Sequence, residues 1–343
     1  MSGLYYKELF SKREGGQLPQ LVIAENENMQ SRFVVQKILD LREEGIPLEE
    51  MAVLFRSSFL SFDLEIELAK ANIPFVKYGG FKFIETAHVK DMIAYLRVLE
   101  NPRDVVSWNR ILLLVDGVGP RTAERVTEDI LNHKLNLTGK GRDALVSEKF
   151  WESFHGYPEG VGKLFERLRA MASPKLKPGE RTYGILEYYG PILKTQYDDH
   201  PKRLKDLEMF QNIAERYNDT ESFLTDMALE PPTESVVDIE SPGHEEEMLV
   251  LSTIHSAKGL EWKAVFVIYA LEGRFPSLRA LTSEEEIEEA LRLMYVACTR
   301  AKDYLYITYP INIFDRESGT VLSKPSRFIQ GIDERLLEPW VVE

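Results

Sequence analysis

Two arginines in this sequence stand beside apolar segments, at positions from which they could bind phosphate. Arg56 directly follows the segment Met51–Phe55, and Arg300 lies between a helical pattern and the segment Tyr304–Thr308. A guanidinium group donates paired hydrogen bonds to phosphate oxygens. With both at the same edge of one sheet, the pattern predicts arginine fingers on a γ-phosphate, which raise hydrolysis rates by about 10³–10⁵. Taken singly, Arg300 is better explained as a cation that stabilises a helix end, and Arg56 as a surface arginine.

A second polar cluster follows the apolar segment Met248–Thr253. The turn after it combines small residues, which let a backbone approach a ligand closely, with polar side chains. The small residues are Ser256, Ala257 and Gly259, and the polar ones are His255, Lys258 and Glu261. In open parallel sheets, ligands bind where strands end and turns begin. The cluster therefore indicates a ligand-binding turn, although an ordinary strand-to-helix turn explains these residues alone equally well.

The elements that would position both clusters are short apolar segments alternating with helical patterns. The predicted strands are Gln20–Ala24, Met51–Phe55, Pro74–Tyr78, Met248–Thr253, Ala264–Tyr269 and Tyr304–Thr308. Such alternation predicts an α/β fold with a mainly parallel sheet covered on both faces. Residues from about 102 to 234 show helical patterns, turn signals and little strand signal. We therefore predict a discontinuous α/β domain, 1–101 with 235–343, that carries an inserted all-helical domain, 102–234.

The composition excludes several classes of protein. No apolar stretch approaches the roughly 20 residues of a membrane-spanning helix, and the first residues lack the apolar core of a signal peptide. The single cysteine, Cys298, excludes an internal disulfide and a zinc site built on several thiolates. These features predict a cytoplasmic protein with no metal site. The net charge of −14 argues against stand-alone, non-specific DNA binding, so any DNA contact must come from a local patch or a basic partner domain.

Seven segments, in order along the chain, together resemble the C-terminal half of UvrD/Rep/PcrA-type superfamily 1 DNA helicases. They are Val53–Ser58 (similar to motif IV), Tyr78–Glu85 with Lys90–Arg97 (motif IVa), Val115–Thr122 (the Gly-Ile-Gly signature of domain 2B), Thr253–Glu261 (motif V), Glu272–Ser277 (the segment that follows motif V), Tyr295–Ala301 (motif VI) and Pro325–Phe328 (the closing segment of the second motor domain). The resemblance covers nearly the whole chain. It implies a RecA-like domain 2A, of the P-loop NTPase type but without a P-loop, and an inserted helical domain 2B.

The resemblance also implies an ATP site and assigns residues of this chain to it. Phe55 would stack on the adenine, where relatives often have tyrosine. Gly259 and Glu261 would lie at the nucleotide, with Glu261 at the ribose. Arg56 and Arg300 would reach the γ-phosphate from across a cleft, as catalytic residues.

A DNA-binding set follows from the same resemblance. Thr253 and His255 would contact the single strand and couple it to the nucleotide, and Lys82 would contact the DNA backbone. A hairpin would offer backbone N–H groups and one guanidinium to duplex phosphates. Its residues are Gly117, Gly119, Arg121 and Thr122. Phe314 would offer an aromatic face to a base.

The sequence contains no Gly-x-x-x-x-Gly-Lys-Ser/Thr segment, which P-loop enzymes use to bind phosphates. It also lacks an apolar strand ending in Asp-Glu that would hold Mg²⁺ in the family's manner. We therefore expect a fragment that is inactive by itself and binds no cofactor tightly. The full-length enzyme would use ATP and Mg²⁺, and this chain's partners would be domains 1A and 1B, DNA, and repair or replication proteins, with no membrane.

Two functional interpretations remain open at this point. The first is the C-terminal motor fragment of an ATP-dependent 3′→5′ DNA helicase that acts in repair, replication or recombination. The alternative is a non-enzymatic DNA-binding or interaction module, in which the helical insert holds a junction and the α/β part is a scaffold. The helicase half of a recombination nuclease is disfavoured, because the chain has no carboxylate cluster with a lysine after the motor motifs.

Overall fold

The computed structural model describes residues 16–80, 82–132, 157–229, 247–315 and 318–342, which belong to two compact units. The first unit takes its described residues from Met1–Leu60, Pro74–Gly80 and Ile239–Glu343. The second takes them from Ser61–Ile73 and Phe81–Asp238. Neither unit is therefore one continuous stretch of chain.

The first unit contains a seven-stranded sheet in the order β3-β4-β2-β5-β6-β1-β9, and each neighbouring pair is parallel. Its strands are β1 (Gln20–Ala24), β2 (Met51–Phe55), β3 (Phe75–Tyr78), β4 (Leu249–Thr253), β5 (Trp262–Val267), β6 (Ala301–Pro310) and β9 (Glu338–Val342). A separate antiparallel hairpin consists of β7 (Ile313–Asp315) and β8 (Thr320–Leu322). The predicted α/β fold with a mainly parallel, RecA-like sheet is confirmed.

Burial explains why the central strands were recognisable as apolar segments. All five residues of β2 are completely buried, and four consecutive residues of β5, 264–267, are as well. Strands covered on both faces must be apolar at every position, because there is no solvent-facing side. Helices α1 (Glu27–Glu43) and α10 (Glu284–Cys298) pack against strands of this sheet, with helices numbered along the chain.

Capping residues fix where these two helices begin. The side chain of Asn26 accepts a hydrogen bond from the Met29 backbone N–H at 2.9 Å at the start of α1. The Ser283 hydroxyl accepts one from Glu286 N at 3.4 Å at the start of α10. Both bonds satisfy N–H groups that have no partner within the helix. Three glutamates in the first turn of α10, residues 284–286, further stabilise its N-terminus through the helix dipole.

The second unit is helical in all of its described residues apart from turns. Its helices are α2 (Phe62–Lys70), α3 (Ala87–Glu100), α4 (Val105–Leu112), α5 (Pro120–Asn132), α6 (Glu159–Met171), α7 (Pro178–Gln196), α8 (His200–Ala214) and α9 (Thr220–Met227). Large side chains fill its core, and Trp108, Tyr189, Phe210 and Phe223 are completely buried.

A buried arginine ties several helices of the second unit together. Arg181, on α7, is only 1% exposed. Its Nη1 donates to Glu100 Oε1 on α3 at 2.7 Å and to Thr220 Oγ1 on α9 at 3.1 Å. Its Nη2 donates to the Ser173 carbonyl at 3.0 Å. Because each bond reaches a different part of the unit, this one guanidinium group links α3, α7, α9 and the loop at Ser173.

The compact units divide the chain differently from the predicted domains. Helices α2 and α3 lie within the predicted α/β stretch 1–101, yet both belong to the second unit. The reason is packing, since α3 contacts α4, α7, α8 and α9, and α2 contacts α9. The predicted limits, 1–101 with 235–343 and 102–234, remain a prediction for the domains of the protein.

Candidate functional site

Polar residues gather at the carboxyl edge of the sheet in the first unit, where β2 and β4 end side by side. The two strands pair in parallel with Phe55 opposite Thr253. Arg56 therefore follows one strand and His255 the other at the same edge. Arg56 and Thr253 are half-buried and His255 is exposed. This edge, defined by these three residues, is called the carboxyl edge below.

A glycine pair that follows β3 passes close over this edge. Gly79 has φ +82°, and a Cβ there would overlap Thr253 Oγ1 and lie 2.9 Å from Ser256 Oγ. The two hydroxyl groups are themselves hydrogen-bonded at 3.0 Å. A Cβ at Gly80 would overlap Ser58 Oγ. The backbone of the glycine pair therefore lies directly against three hydroxyl side chains.

The glycine contact leads to a stability prediction with a matched control. Gly45 also has a left-handed φ, +89°, but nothing lies within 4 Å of its Cβ position. Alanine at either position carries the backbone strain of about 1–2 kcal/mol. We expect Gly79→Ala to lower the free energy of unfolding by about 1–3 kcal/mol more than Gly45→Ala, because the added methyl displaces Thr253. Urea denaturation of both variants measures the difference, and equal losses would show that Thr253 makes room without cost.

Phe55 does not have the environment predicted for it. Its side chain is completely buried, and the Lys77 ammonium lies 5.8 Å from its ring centroid. A ring with no exposed face cannot stack on an adenine, so the predicted stacking role of Phe55 is wrong for this structure. The physical reason is its position inside β2, where every side chain is in the core.

The opposite, amino edge of the same sheet carries Arg300 and Glu261. The two residues directly precede β6 and β5, and Trp262 N donates to Arg300 O at 2.9 Å. Glu261 and Gly259 are exposed, and Arg300 is half-buried. Gly259 has φ +89°, which only glycine adopts at little cost. Arg300, Glu261 and Gly259 define what is called the amino edge below.

Three hydrogen bonds hold the Arg300 guanidinium group in place. Nη1 donates to the Leu260 carbonyl at 2.9 Å, Nε to the Val296 carbonyl at 3.1 Å, and Nη2 to Thr299 Oγ1 at 3.2 Å. A guanidinium group has five N–H donors, so two remain for another acceptor. Nearby, burial raises the pKa of the Cys298 thiol to about 11, and this side chain therefore adds no charge beside Arg300 at neutral pH.

The two arginines do not lie at the same edge of the sheet, and that prediction is wrong. Met51 on β2 is level with Ala264 on β5, which is level with Tyr304 on β6. Arg56 comes after the carboxyl end of β2, whereas Arg300 comes before the amino end of β6. Parallel strands place these ends at opposite edges, separated by at least a five-residue strand, about 17 Å. Arg56 lies instead with Thr253 and His255.

One short segment connects the two edges. Residues 254–261 leave the carboxyl end of β4 and enter the amino end of β5, which lies on the far side of β2. Ile254 and Ala257 are completely buried and anchor the segment. Backbone bonds from Ser256 N and Ala257 N to Thr253 O, at 3.0 and 3.1 Å, shape its first turn. This crossover segment therefore joins His255 at one edge to Glu261 at the other.

The β7–β8 hairpin presents Phe314 to solvent. Phe314 is 56% exposed and lies opposite Val321, which is 57% exposed, while Asp315 is buried. Arg274 Nη1 donates to Asp315 Oδ2 at 3.2 Å and anchors the hairpin. An exposed aromatic ring suits stacking on a base, and that role for Phe314 stays a prediction.

The remaining predicted DNA-binding residues lie in the second unit. Gly117, with φ +75°, and Gly119 have nothing within 4 Å of a Cβ position. Arg121 is exposed, Thr122 is half-buried, and both lie in the first turn of α5. Lys82 is half-buried and precedes a short 3₁₀ turn. The exposed guanidinium group of Arg121 suits a phosphate, and the roles of these five residues stay predictions.

Three residues that contact side chains at the carboxyl edge were not assigned from the sequence. Gly79 and Gly80 stood within a recognised motif, and a glycine pair directly after a strand was the available signal. Glu289, on α10, lies with its Oε1 3.7 Å from His255 Nε2 and carried no signal, because His255 is distant in the chain. Among the described residues, no cluster of three or more His, Cys, Asp or Glu side chains could hold a metal ion. None of the described helices is both long enough and apolar enough to cross a membrane.

Comparison with known proteins identifies related sequences. The family described as the UvrD-like helicase C-terminal domain matches residues 4–311. The chain is similar to the ATP-dependent DNA helicase PcrA of Staphylococcus epidermidis, with 31% identity over 350 residues, covering 97% of this chain and 46% of that protein. It is also 30% identical to the ATP-dependent DNA helicase PcrA of Staphylococcus aureus, with the same two coverages. The chain thus spans about half the length of the curated relatives it matches.

Proposed function

The chain belongs to the UvrD-like helicase C-terminal domain family, and from this premise we propose that it is the C-terminal motor part of an ATP-dependent DNA helicase. The helicase moves 3′→5′ along a single strand and serves DNA repair, replication or recombination in the cytoplasm. The sheet in the first unit is its second RecA-like motor domain, and the other half of the nucleotide cleft belongs to domains 1A and 1B. The curated relatives, which are named as ATP-dependent DNA helicases and of which this chain covers 46%, support the proposal.

The observation that carries the proposal is the crossover segment 254–261. A motor must connect a nucleic-acid site to a nucleotide site, because hydrolysis at one has to move the other. This segment has His255 at the carboxyl edge and Glu261 at the amino edge, and the buried side chains of Ile254 and Ala257 anchor it. Such an anchored connection supports a coupling role.

We assign nucleotide binding to the amino edge. Arg300 has two N–H donors beyond its three internal hydrogen bonds, which suits contact with a γ-phosphate. The exposed carboxylate of Glu261 suits the ribose hydroxyls, and Gly259 lets the backbone approach. Mg²⁺ and the phosphate cradle come from the partner domains, since the sequence has no P-loop. The part of Arg300 is to neutralise charge that develops on the transferred phosphoryl group.

We assign single-strand binding to the carboxyl edge. Arg56 supplies a positive charge, His255 an exposed ring, and Thr253 a hydroxyl group next to the glycine pair. We therefore assign Arg56 to single-stranded DNA binding and not to the nucleotide, because it lies beside Thr253 and away from Arg300. In the second unit, the first turn of α5 binds duplex phosphate through the exposed side chain of Arg121.

The purified chain is expected to hydrolyse no ATP above background. Without a P-loop lysine and a metal ligand, the phosphates are not neutralised and the attacking water is not positioned. Phosphate release with ATP, Mg²⁺ and single-stranded DNA present measures this. Robust Mg²⁺-dependent turnover by the chain would contradict the division of the site between two halves. In the full-length protein, the direction of movement is tested by unwinding: a duplex with a 3′ tail should be unwound and one with a 5′ tail should not. If the full-length protein binds single-stranded DNA but hydrolyses no ATP, the non-enzymatic alternative is favoured.

A further inference from the structure

The crossover segment is held against helix α10 at both of its ends. At the amino edge, Arg300, two residues beyond the helix, donates to the Leu260 carbonyl at 2.9 Å. At the carboxyl edge, His255 Nε2 lies 3.7 Å from Glu289 Oε1, in the second turn of α10. One helix therefore contacts the two sites that the segment connects.

The contact between His255 and Glu289 is open to solvent. The side chains are 48% and 57% exposed. A phosphate of single-stranded DNA that approached His255 would come within a few ångströms of the Glu289 carboxylate. This separation is well inside the Debye length of about 8 Å at physiological salt. Two negative charges at that separation repel each other, so a phosphate and Glu289 compete for the same imidazole.

We propose that Glu289 is a positioning residue of the carboxyl edge, which holds His255 against α10 until the phosphate of a bound single strand takes its place. This proposal rests on the assignment of strand binding to the carboxyl edge. Displacement of Glu289 frees the crossover segment from α10 at His255 and leaves it attached at Leu260. Binding of single-stranded DNA therefore removes one of the two contacts that hold the crossover segment, which ends at Glu261, against α10.

Helix α10 provides the rigid reference for this exchange. Cys298, the last residue of the helix, lies nine positions after Glu289, which corresponds to about 14 Å of helix. The buried side chains of Ala290, Leu293, Met294 and Ala297 fix the helix in the first unit. Because α10 is fixed, loss of the His255 contact moves the segment and leaves the helix in place.

The binding test compares Glu289→Gln with Glu288→Gln in the purified chain. Glu288 is a matched control, because the charge change is the same and its carboxylate pairs with Arg292 at 3.1 Å and is 62% exposed. We expect Glu289→Gln to tighten binding of a fluorescent oligothymidylate at low salt by about two- to fivefold, the range of an exposed ion pair. Glu288→Gln should change it by less than half as much. In a His255→Ala background, the effect of Glu289→Gln should vanish, and persistence of the effect would overturn the proposal.

Hydrogen exchange without DNA tests the contact separately. Glu289→Ala should speed exchange of the Ser256, Ala257 and Leu260 amides, and Glu288→Ala should not. If both variants exchange like the original chain, the proposal is overturned even where DNA binds normally. If the chain binds no oligothymidylate, the assignment of the carboxyl edge fails, and the exchange result still decides whether Glu289 restrains the segment.

Discussion

Arg300→Ala in the full-length protein should lower DNA-stimulated ATP turnover by about 10³-fold or more, while nucleotide binding largely survives. An arginine finger acts on charge that develops in the transition state, so its loss affects kcat far more than binding. Arg300→Lys should recover little, because an ammonium group cannot reproduce the bonds to Leu260 and Val296 together with a phosphate contact. Steady-state ATPase assays and equilibrium nucleotide binding measure the two effects.

Arg56→Ala provides the contrasting variant, because Arg56 lies at the other edge of the sheet. It should raise the DNA concentration for half-maximal stimulation and lower turnover at saturating DNA by less than tenfold. Normal ATPase in Arg300→Ala would end the finger assignment. Equal loss of turnover in the two variants at saturating DNA would restore the original prediction that both arginines act on the nucleotide.

Glu100→Ala should lower the free energy of unfolding of the second unit by about 3–5 kcal/mol. Glu100 is the acidic partner of Arg181, whose side chain is only 2% exposed. Removing one member of a buried ion pair leaves an uncompensated charge in the core, and this cost exceeds the value of the pair itself. Thermal and urea denaturation, followed by circular dichroism of the helical unit, measure the loss.

Glu187→Ala is the control for this prediction. Glu187 pairs with Arg167 at 3.3 Å, but the two side chains are 50% and 35% exposed. Exposed pairs contribute about 0–1 kcal/mol, because water already solvates both charges. Similar losses in the two variants would indicate that the burial of Arg181 is compensated without Glu100, by interactions that include its bonds to Thr220 and Ser173.

The fold was largely predictable because its central strands are buried on both faces. Strands β1 and β2 begin and end at the predicted residues, and β3 and β4 differ by one residue at their start. Strand β6 begins at Ala301, before the predicted start at Tyr304. The prediction missed this beginning because Lys302 and Asp303 are polar and exposed. Strand β9 was missed. It pairs on one side only, contains Pro339 and is mostly exposed, so it lacks the apolar pattern of a core strand.

The candidate site was less predictable because it depends on strand direction. The sequence shows that Arg56 follows one predicted strand and that Arg300 precedes another, but it does not show that these two strands are parallel and level with each other. Only the parallel register of β2, β5 and β6 separates them. Phe55 was misassigned for a related reason, since the sequence shows an aromatic residue at a strand end but not that the ring points into the core. Family membership now supports the motor proposal independently of the arginine pair.

The distance between the two edges determines what kind of signal can pass between them. Phosphates bound at opposite ends of the sheet would be about 17 Å apart along the strands. This is roughly twice the distance over which salt at physiological strength screens exposed charges, about 8 Å. The electrostatic interaction between the two anions would therefore be weak. Coupling between the nucleotide and the single-stranded DNA would therefore have to be mechanical. It should persist at salt concentrations that abolish long-range charge effects.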